Sequence, residues 1–187
     1  MVLARLFRRS QLRDRARRLY GRAVEQARRP AFYRDCGVPD TLDGRFDMIV
    51  LHVLLILRRL RREGDEGGAL GQAVFDVMMD DMDRSLREMG VGDFAVGRRV
   101  KAMVRAVYGR AAAYEAALAA DDGALADALR RNLYGTVAAG EDDVAAIAAY
   151  VRKEAAALDA QAASDLLAGE FRFGRPARAD VRGECGE

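Results

Sequence analysis

Three carboxylates raise the first chemical question. Asp76, Asp80 and Asp83 stand four and three residues apart in VFDVMMDDMDRSLREMGVG, residues 74–92, so a helix carries them as one stripe. Hard cations choose carboxylate oxygens, and an aspartate-rich helix that holds magnesium can in turn hold a diphosphate, as in all-α prenyl-transferring enzymes. Such a site needs a second acidic cluster facing the first and a basic pocket for the diphosphate. Glu141, Asp142 and Asp143 are the candidate cluster, but at the start of a helix they are equally accounted for by the macrodipole. A magnesium-dependent prenyl-diphosphate-type enzyme using Asp76, Asp80 and Asp83 is therefore kept as the alternative reading.

The same helix has a second face. Phe75, Met78, Met79, Met82, Leu86 and Met89 recur at three- and four-residue steps, giving an apolar, methionine-rich side edged by Asp76, Asp80, Asp81 and Asp83. Methionine is unbranched and polarisable and repacks against many apolar partners, so this face suits an adaptable binding surface as well as a core. Gly90 is placed to stop the helix in a left-handed turn, and Gly92 with Asp93 to start the next.

Other reactive residues are sparse. His52 is the single histidine, no nucleophile lies in a motif such as G-x-S-x-G, and a core histidine with a satisfied hydrogen bond is the expectation. A lone histidine is weak support for haem ligation. Cys36 and Cys185 share no pattern with each other or with a histidine, which indicates neither a disulfide framework nor a zinc site and points to a reducing compartment. The pair Gly90 and Gly92 is G-x-G alone, short of a nucleotide fingerprint. No metal, cofactor or catalytic residue is expected.

The elements that must position these residues are helical. Of 187 residues 51% are hydrophobic and 32% charged; there is no tryptophan, and no proline lies between Asp40 and Arg175, which suits one all-α domain of about six helices. Residues 1–29 form a basic amphipathic helix with ten arginines against Asp14 and Glu25. Three readings are open for it: a solvated helix packed on its own domain, an arm for anionic membrane or ribosomal RNA, or a targeting peptide. Arg5, Arg8, Arg9, Arg13, Arg17 and Arg18 would make the contact in the second. PAFYRDCGVPDTLDG, residues 30–44, reads as a bent connector with Phe32 and Tyr33 as anchors. The run from Met48 to Leu57 is apolar all round except for His52, hence a central buried helix, and at about ten residues it falls well short of the roughly 20 needed to cross a bilayer. GDEGG, residues 64–68, reads as a flexible turn. The helix after Gly92 carries Arg98, Arg99, Lys101, Arg105 and Arg110 on its outer side, where the preceding aspartates can pair with them. Asp121 to Gly123 break it and cap a further helix. Residues 141–170 form an alanine-rich helix, and 171–187 a loose tail that Phe171 and Phe173 could tuck down or turn into a partner-binding element.

Three stretches together carry a resemblance. FYRDCGVPDTLDGRFD, VMMDDMDRSLREMGVGD and YEAALAADDGALADALRRNLYG, within about residues 30–140, resemble the ubiquinol–cytochrome c chaperone family, assembly factors for the respiratory cytochrome bc complex. None of these stretches is a catalytic signature. The resemblance implies a non-enzymatic protein that binds newly made cytochrome b until cofactors and partner subunits are in place, in mitochondria together with a small partner protein. It would use the helices of residues 75–134, with Phe75, Met78, Met79, Met82, Asp76, Asp80, Asp81 and Asp83 as client-binding residues. The arginine-rich N-terminus, outside the matched span, would meet ribosome or anionic membrane; DNA is not an expected partner. The implied location is the cytoplasm, peripheral at the inner face of the membrane, or the mitochondrial matrix in a eukaryote.

Overall fold

The computed structural model describes residues 2–176, with side chains from Phe7 onward, and its regular structure is helical throughout. Six helices of eleven residues or more match the expected number: α1 (Val2–Ala27), α3 (Leu42–Leu60), α4 (Gly64–Glu88), α5 (Asp93–Ala119), α6 (Asp122–Asn132) and α7 (Glu141–Ala160). Two short ones are added, α2 (Pro30–Arg34) and α8 (Ala163–Ala168). The last residues of the expected tail, 177–187, lie outside the described part, as does the side chain of Arg5.

The architecture follows from α3. Every residue from Met48 to Ile56 is buried, so other helices must cover this one on all sides, and α1, α4, α5 and α7 do so. Each leucine, isoleucine or valine fully buried there contributes about 1.5–3 kcal/mol. The Thr41 side chain caps the helix by accepting from the Gly44 backbone N–H at 3.1 Å. Helix α1 lies along α3 and α4 with Ala16, Leu19, Ala23 and Ala27 inward, α6 packs on α5 and α7, and α8 touches α4. Gly90, with φ of +78°, ends the α4 segment and Gly92 starts α5, as the sequence indicates. The contact of Phe75 with Tyr108 across the pair shows that the two helices run antiparallel.

Three boundaries differ from the sequence reading. Pro30 opens a helical turn inside the connector, its fixed φ suited to the first position; Phe32 is buried and the Tyr33 hydroxyl donates to the Ala27 carbonyl at 2.7 Å, so both anchor as expected. GDEGG is the beginning of α4 and not a flexible turn: Asp65 and Glu66 favour its N-terminus, and Gly67 lies against the Leu60 carbonyl, where a side chain has no room. The expected 141–170 helix is broken at Gln161, whose amide exchanges two hydrogen bonds with the Arg172 backbone, each 2.9 Å. That exchange begins to fasten the final segment. Phe171 is buried and stacks edge-on with Phe173, which in turn meets His52 at 5.0 Å between centroids. Of the two roles open to these phenylalanines, tucking down is the one observed.

A relay of buried polar side chains joins α1, α3 and α7. Gln26 of α1 donates to the Tyr150 hydroxyl of α7 at 2.8 Å and to the Gly174 carbonyl at 2.7 Å. Tyr150 donates onward to His52 Nε2, and His52 Nδ1 donates to the Met48 carbonyl, both at 2.8 Å. Both ring nitrogens are thereby engaged, which is the satisfied core histidine the sequence suggests and leaves no nitrogen for a haem iron. Asp47 and Arg110 pair at 2.7 Å between α3 and α5, so Arg110 is turned inward and not displayed on the outer side of α5.

Burial penalises the imidazolium and pushes His52 from 6.5 down to about 4. Its contribution to stability is complete above pH 6.5 and declines as pH falls toward 4, by about 1.4 kcal/mol per pH unit in between. Asp47 opposes this: burial outweighs Arg110 and lifts its carboxyl from 3.8 to about 6, so its contribution is lost as pH rises through that range. A melting curve would therefore mix the two, whereas the single histidine gives one ring resonance. Its NMR shift is expected to stay constant from pH 8 to below pH 5.5 and to move only near pH 4; a midpoint near 6.5 would show that the relay is not closed.

Candidate functional site

Helices α3, α4 and α5 meet imperfectly on one side, leaving an apolar groove of about 200 Å³. Leu54 and Leu57 of α3 form its floor, Phe75 of α4 and Tyr108 of α5 its lip, with ring centroids 5.5 Å apart, and Ala111 and Leu118 its far wall. An ion pair between Arg61 and Glu115 at 2.8 Å borders it.

The opening is traceable to glycine. Gly68 and Gly71 face the groove from α4, yet a side chain at Gly68 would meet nothing within 4 Å and one at Gly71 would only touch Leu57 at 3.5 Å. Glycine in a helix interior costs roughly 0.5–1 kcal/mol relative to alanine. Packing does not require it at these two positions, and its effect there is to leave the space empty. The volume exceeds the ~150 Å³ of a cavity that accepts benzene, so one or two apolar side chains of a docked helix fit.

The residues singled out on α4 separate into three groups. Met78 is fully buried and Met82 nearly so, because the helix turns this side inward; they are core and not a contact surface, a correction to the sequence reading. Phe75 and Met79 are half-buried, and Phe75 alone of the set lines the groove. The aspartates do not converge. Asp80 pairs with Arg13 at 2.8 Å, Asp81 accepts from the Tyr20 hydroxyl at 2.7 Å, Asp83 pairs with Arg87 at 2.7 Å, and among the described residues Asp76 accepts only from the neutral Gln72 amide at 2.8 Å. Among the described residues no three acidic, histidine or cysteine side chains form a metal-holding group, and Glu141 of the supposed second cluster pairs with Arg130. The geometry therefore gives the magnesium alternative no support.

The arginines of α1 are likewise divided. Arg13 pairs with Asp80 and Arg18 donates to the Ala168 carbonyl at 2.7 Å, so these two fasten α1, whereas Arg17 pairs with Asp14 of the same helix at 3.3 Å. Arg8 and Arg9 are exposed with no such partner among the described residues. On α5, Arg98, Arg99, Lys101 and Arg105 are exposed and form no ion pair among the described residues, contrary to the expectation that the α4 aspartates would meet them. Those aspartates face α1 or their own helix.

Sequence reasoning missed Leu57, Gly68, Gly71 and Tyr108. The available signal was GGALG at 67–71, glycines inside a stretch otherwise fit for helix.

Residues 34–173 match the family model described as ubiquinol-cytochrome C chaperone. The chain is 30% identical over 159 residues to ubiquinol-cytochrome c reductase complex assembly factor 1 of Mus musculus, covering 84% of this chain and 54% of that protein. It is 30% identical over 152 residues to the factor of the same description from Xenopus laevis, covering 81% and 76%. The chain thus spans about half the length of the mouse relative. A crystal structure of the Cbp3 homolog from Brucella abortus superposes with a TM-score of 0.82 at 36% identity, over 94% of this chain and 98% of that one. The match reaches to residue 173, beyond position 140 where the resemblance of the three stretches ends, and takes in α7 and the tucked segment.

The two kinds of methionine on α4 can be told apart by stability. Met78→Ser is expected to lower the unfolding free energy by about 2–5 kcal/mol, and Met89→Ser, at the exposed end of the same stripe, by about 0.5 kcal/mol or less, in urea titrations. Equal midpoints would put the whole stripe back on the surface.

Proposed function

Because the chain belongs to the ubiquinol-cytochrome c chaperone family, we propose that it acts without catalysis in assembly of the ubiquinol–cytochrome c reductase complex, holding an apolar helical segment of newly made cytochrome b in the α3–α4–α5 groove. The observation that carries this reading is the groove itself, kept open by Gly68 and Gly71 where side chains would fit. A membrane segment outside the bilayer exposes apolar surface, and each CH₂ group removed from water in the groove is worth about 0.8 kcal/mol. Phe75 and Tyr108 would close over the seated side chain. Asp76, whose carboxylate has only a neutral partner, is the acidic residue left to meet a positive flank of the client; Asp80, Asp81 and Asp83 are already engaged within the fold.

The groove can be filled without harming the domain. Gly68→Leu with Gly71→Leu places one side chain in open space and one in van der Waals contact with Leu57 and Leu60, and raises helix propensity, so the thermal midpoint should be unchanged or higher. In a strain lacking the gene, the absorbance of cytochrome b haem in membranes should be lost, the wild-type gene should restore it, and the doubly substituted gene should not. An unchanged spectrum on deletion would refute the assembly role, and full restoration by the filled variant would refute the groove as the client site.

A further inference from the structure

Helix α5 carries a surface that the client reading does not use. Phe94, Arg98, Lys101, Arg105 and Tyr108 follow at alternating steps of four and three residues, which aligns them within one narrow stripe about 21 Å long. All five are exposed: Phe94 completely and Tyr108 at 60%. Among the described residues the three cations between the aromatics find no ion-pair partner, and neither does Arg99 beside them. At the Phe94 end, Met89 is 51% exposed in the turn from α4. Residues 84–105 hold six cations against Glu88 and Asp93, and Asp93 is paired with Arg87.

We propose that this outer face of α5 seats the protein on an anionic lipid surface, with Phe94 and Met89 dipping among the acyl chains and Arg98, Lys101 and Arg105 against the headgroups. The charge is complementary to anionic lipid, and the placement of the apolar side chains favours lipid over nucleic acid. Phe94 and Met89 cluster at one corner, beyond the cations, as a wedge that enters a bilayer would be arranged. A surface for RNA bases would instead interleave its aromatic rings with the cations. The stripe ends at Tyr108, the lip of the groove, so a protein seated this way presents the groove at the membrane surface. Arg8 and Arg9 on α1 are a separate basic site, and the contact assigned here does not depend on them.

Co-sedimentation of the full chain with vesicles tests this. Wild type should bind mixed phosphatidylcholine–phosphatidylglycerol vesicles and leave phosphatidylcholine vesicles unbound, with binding weakened by salt. Reversal of Arg98, Lys101 and Arg105 to Glu should reduce partition by more than about a hundredfold, which the loss of the three cations alone accounts for. Phe94→Ser should reduce it with the charge unchanged. Both variants alter exposed residues and should melt as wild type does. Reversal of Arg8 and Arg9 serves as the control and should have little effect. Loss of binding in that control with none in the α5 variants, or no vesicle binding by wild type, overturns the proposal. Binding of single-stranded RNA that the α5 variants lose, without vesicle binding, would reassign the face to nucleic acid. None of these readouts involves the client, so failure here is distinct from failure of the groove.

Discussion

The structure depends on burying α3 from every direction. A helix whose residues 48–56 are all withdrawn from solvent cannot lie at the edge of a layer, so α1, α4, α5 and α7 enclose it. Apolar contact alone would leave the rotation of that helix loosely defined. The relay from Gln26 through Tyr150 and His52 to the Met48 carbonyl supplies direction, since each donor has one acceptor and the same amide of Gln26 holds Gly174. Buried polar groups are costly when unpaired, so the network penalises any register in which α1, α3 and α7 fail to bring these groups together. The final described segment is thereby part of the core, with Phe171 and Phe173 packed beside the same histidine.

Surface charge is partitioned by helix. The acidic edge of α4 is largely matched within the fold: Arg13 meets Asp80, Tyr20 meets Asp81, and Arg87 meets Asp83 and Asp93. Exposed pairs of this kind stabilise by at most about 1 kcal/mol each, so their main effect is on what remains unpaired. Helix α5 retains its cations because its only inward-turned arginine, Arg110, is matched to Asp47 and its outer ones are aimed away from α4.

What could be read from the sequence was governed by periodicity. The all-round apolar run of α3, the left-handed stop at Gly90 and the Asp121 cap, which accepts from the Ala124 N–H at 2.8 Å, each have one local cause and are seen as expected. The boundaries at Gly64 and Gln161 were not legible, because tertiary contacts decide them: Gly67 fits under a carbonyl of another helix, and Gln161 binds a segment eleven residues on. The α4 stripe shows the same limit from the functional side. Period alone identifies Phe75, Met78 and Met82 as one face but does not say whether that face meets the protein or a partner; the structure buries the two methionines and leaves Phe75 at the groove. Alanine-rich α7 is legible from its start at Glu141, and the thin apolar stripe it offers, Val144, Ile147, Val151 and Leu158, is buried as the spacing indicates.

The placement of perturbed groups bears on what kind of work this fold does. Burial raises the hydroxyl pKa of Tyr20, Tyr134 and Tyr150 and lowers that of His52, yet these groups sit in seams between helices, bonded to Asp81, to the Cys36 carbonyl and to one another. Perturbed titration often marks a reaction site, but here each cause is a packing contact with its hydrogen bond satisfied inside the protein. The groove, by contrast, is floored by leucine and opened by glycine, with its charged residues at the border. Two helix-interior glycines that packing does not require lower the stability of α4 relative to alanine, and a fold under no other demand would gain by filling the space. An apolar recess retained at that cost, with the Tyr20–Asp81 and Tyr150–His52 bonds lying outside its lining, is suited to accept apolar side chains from a partner and release them again.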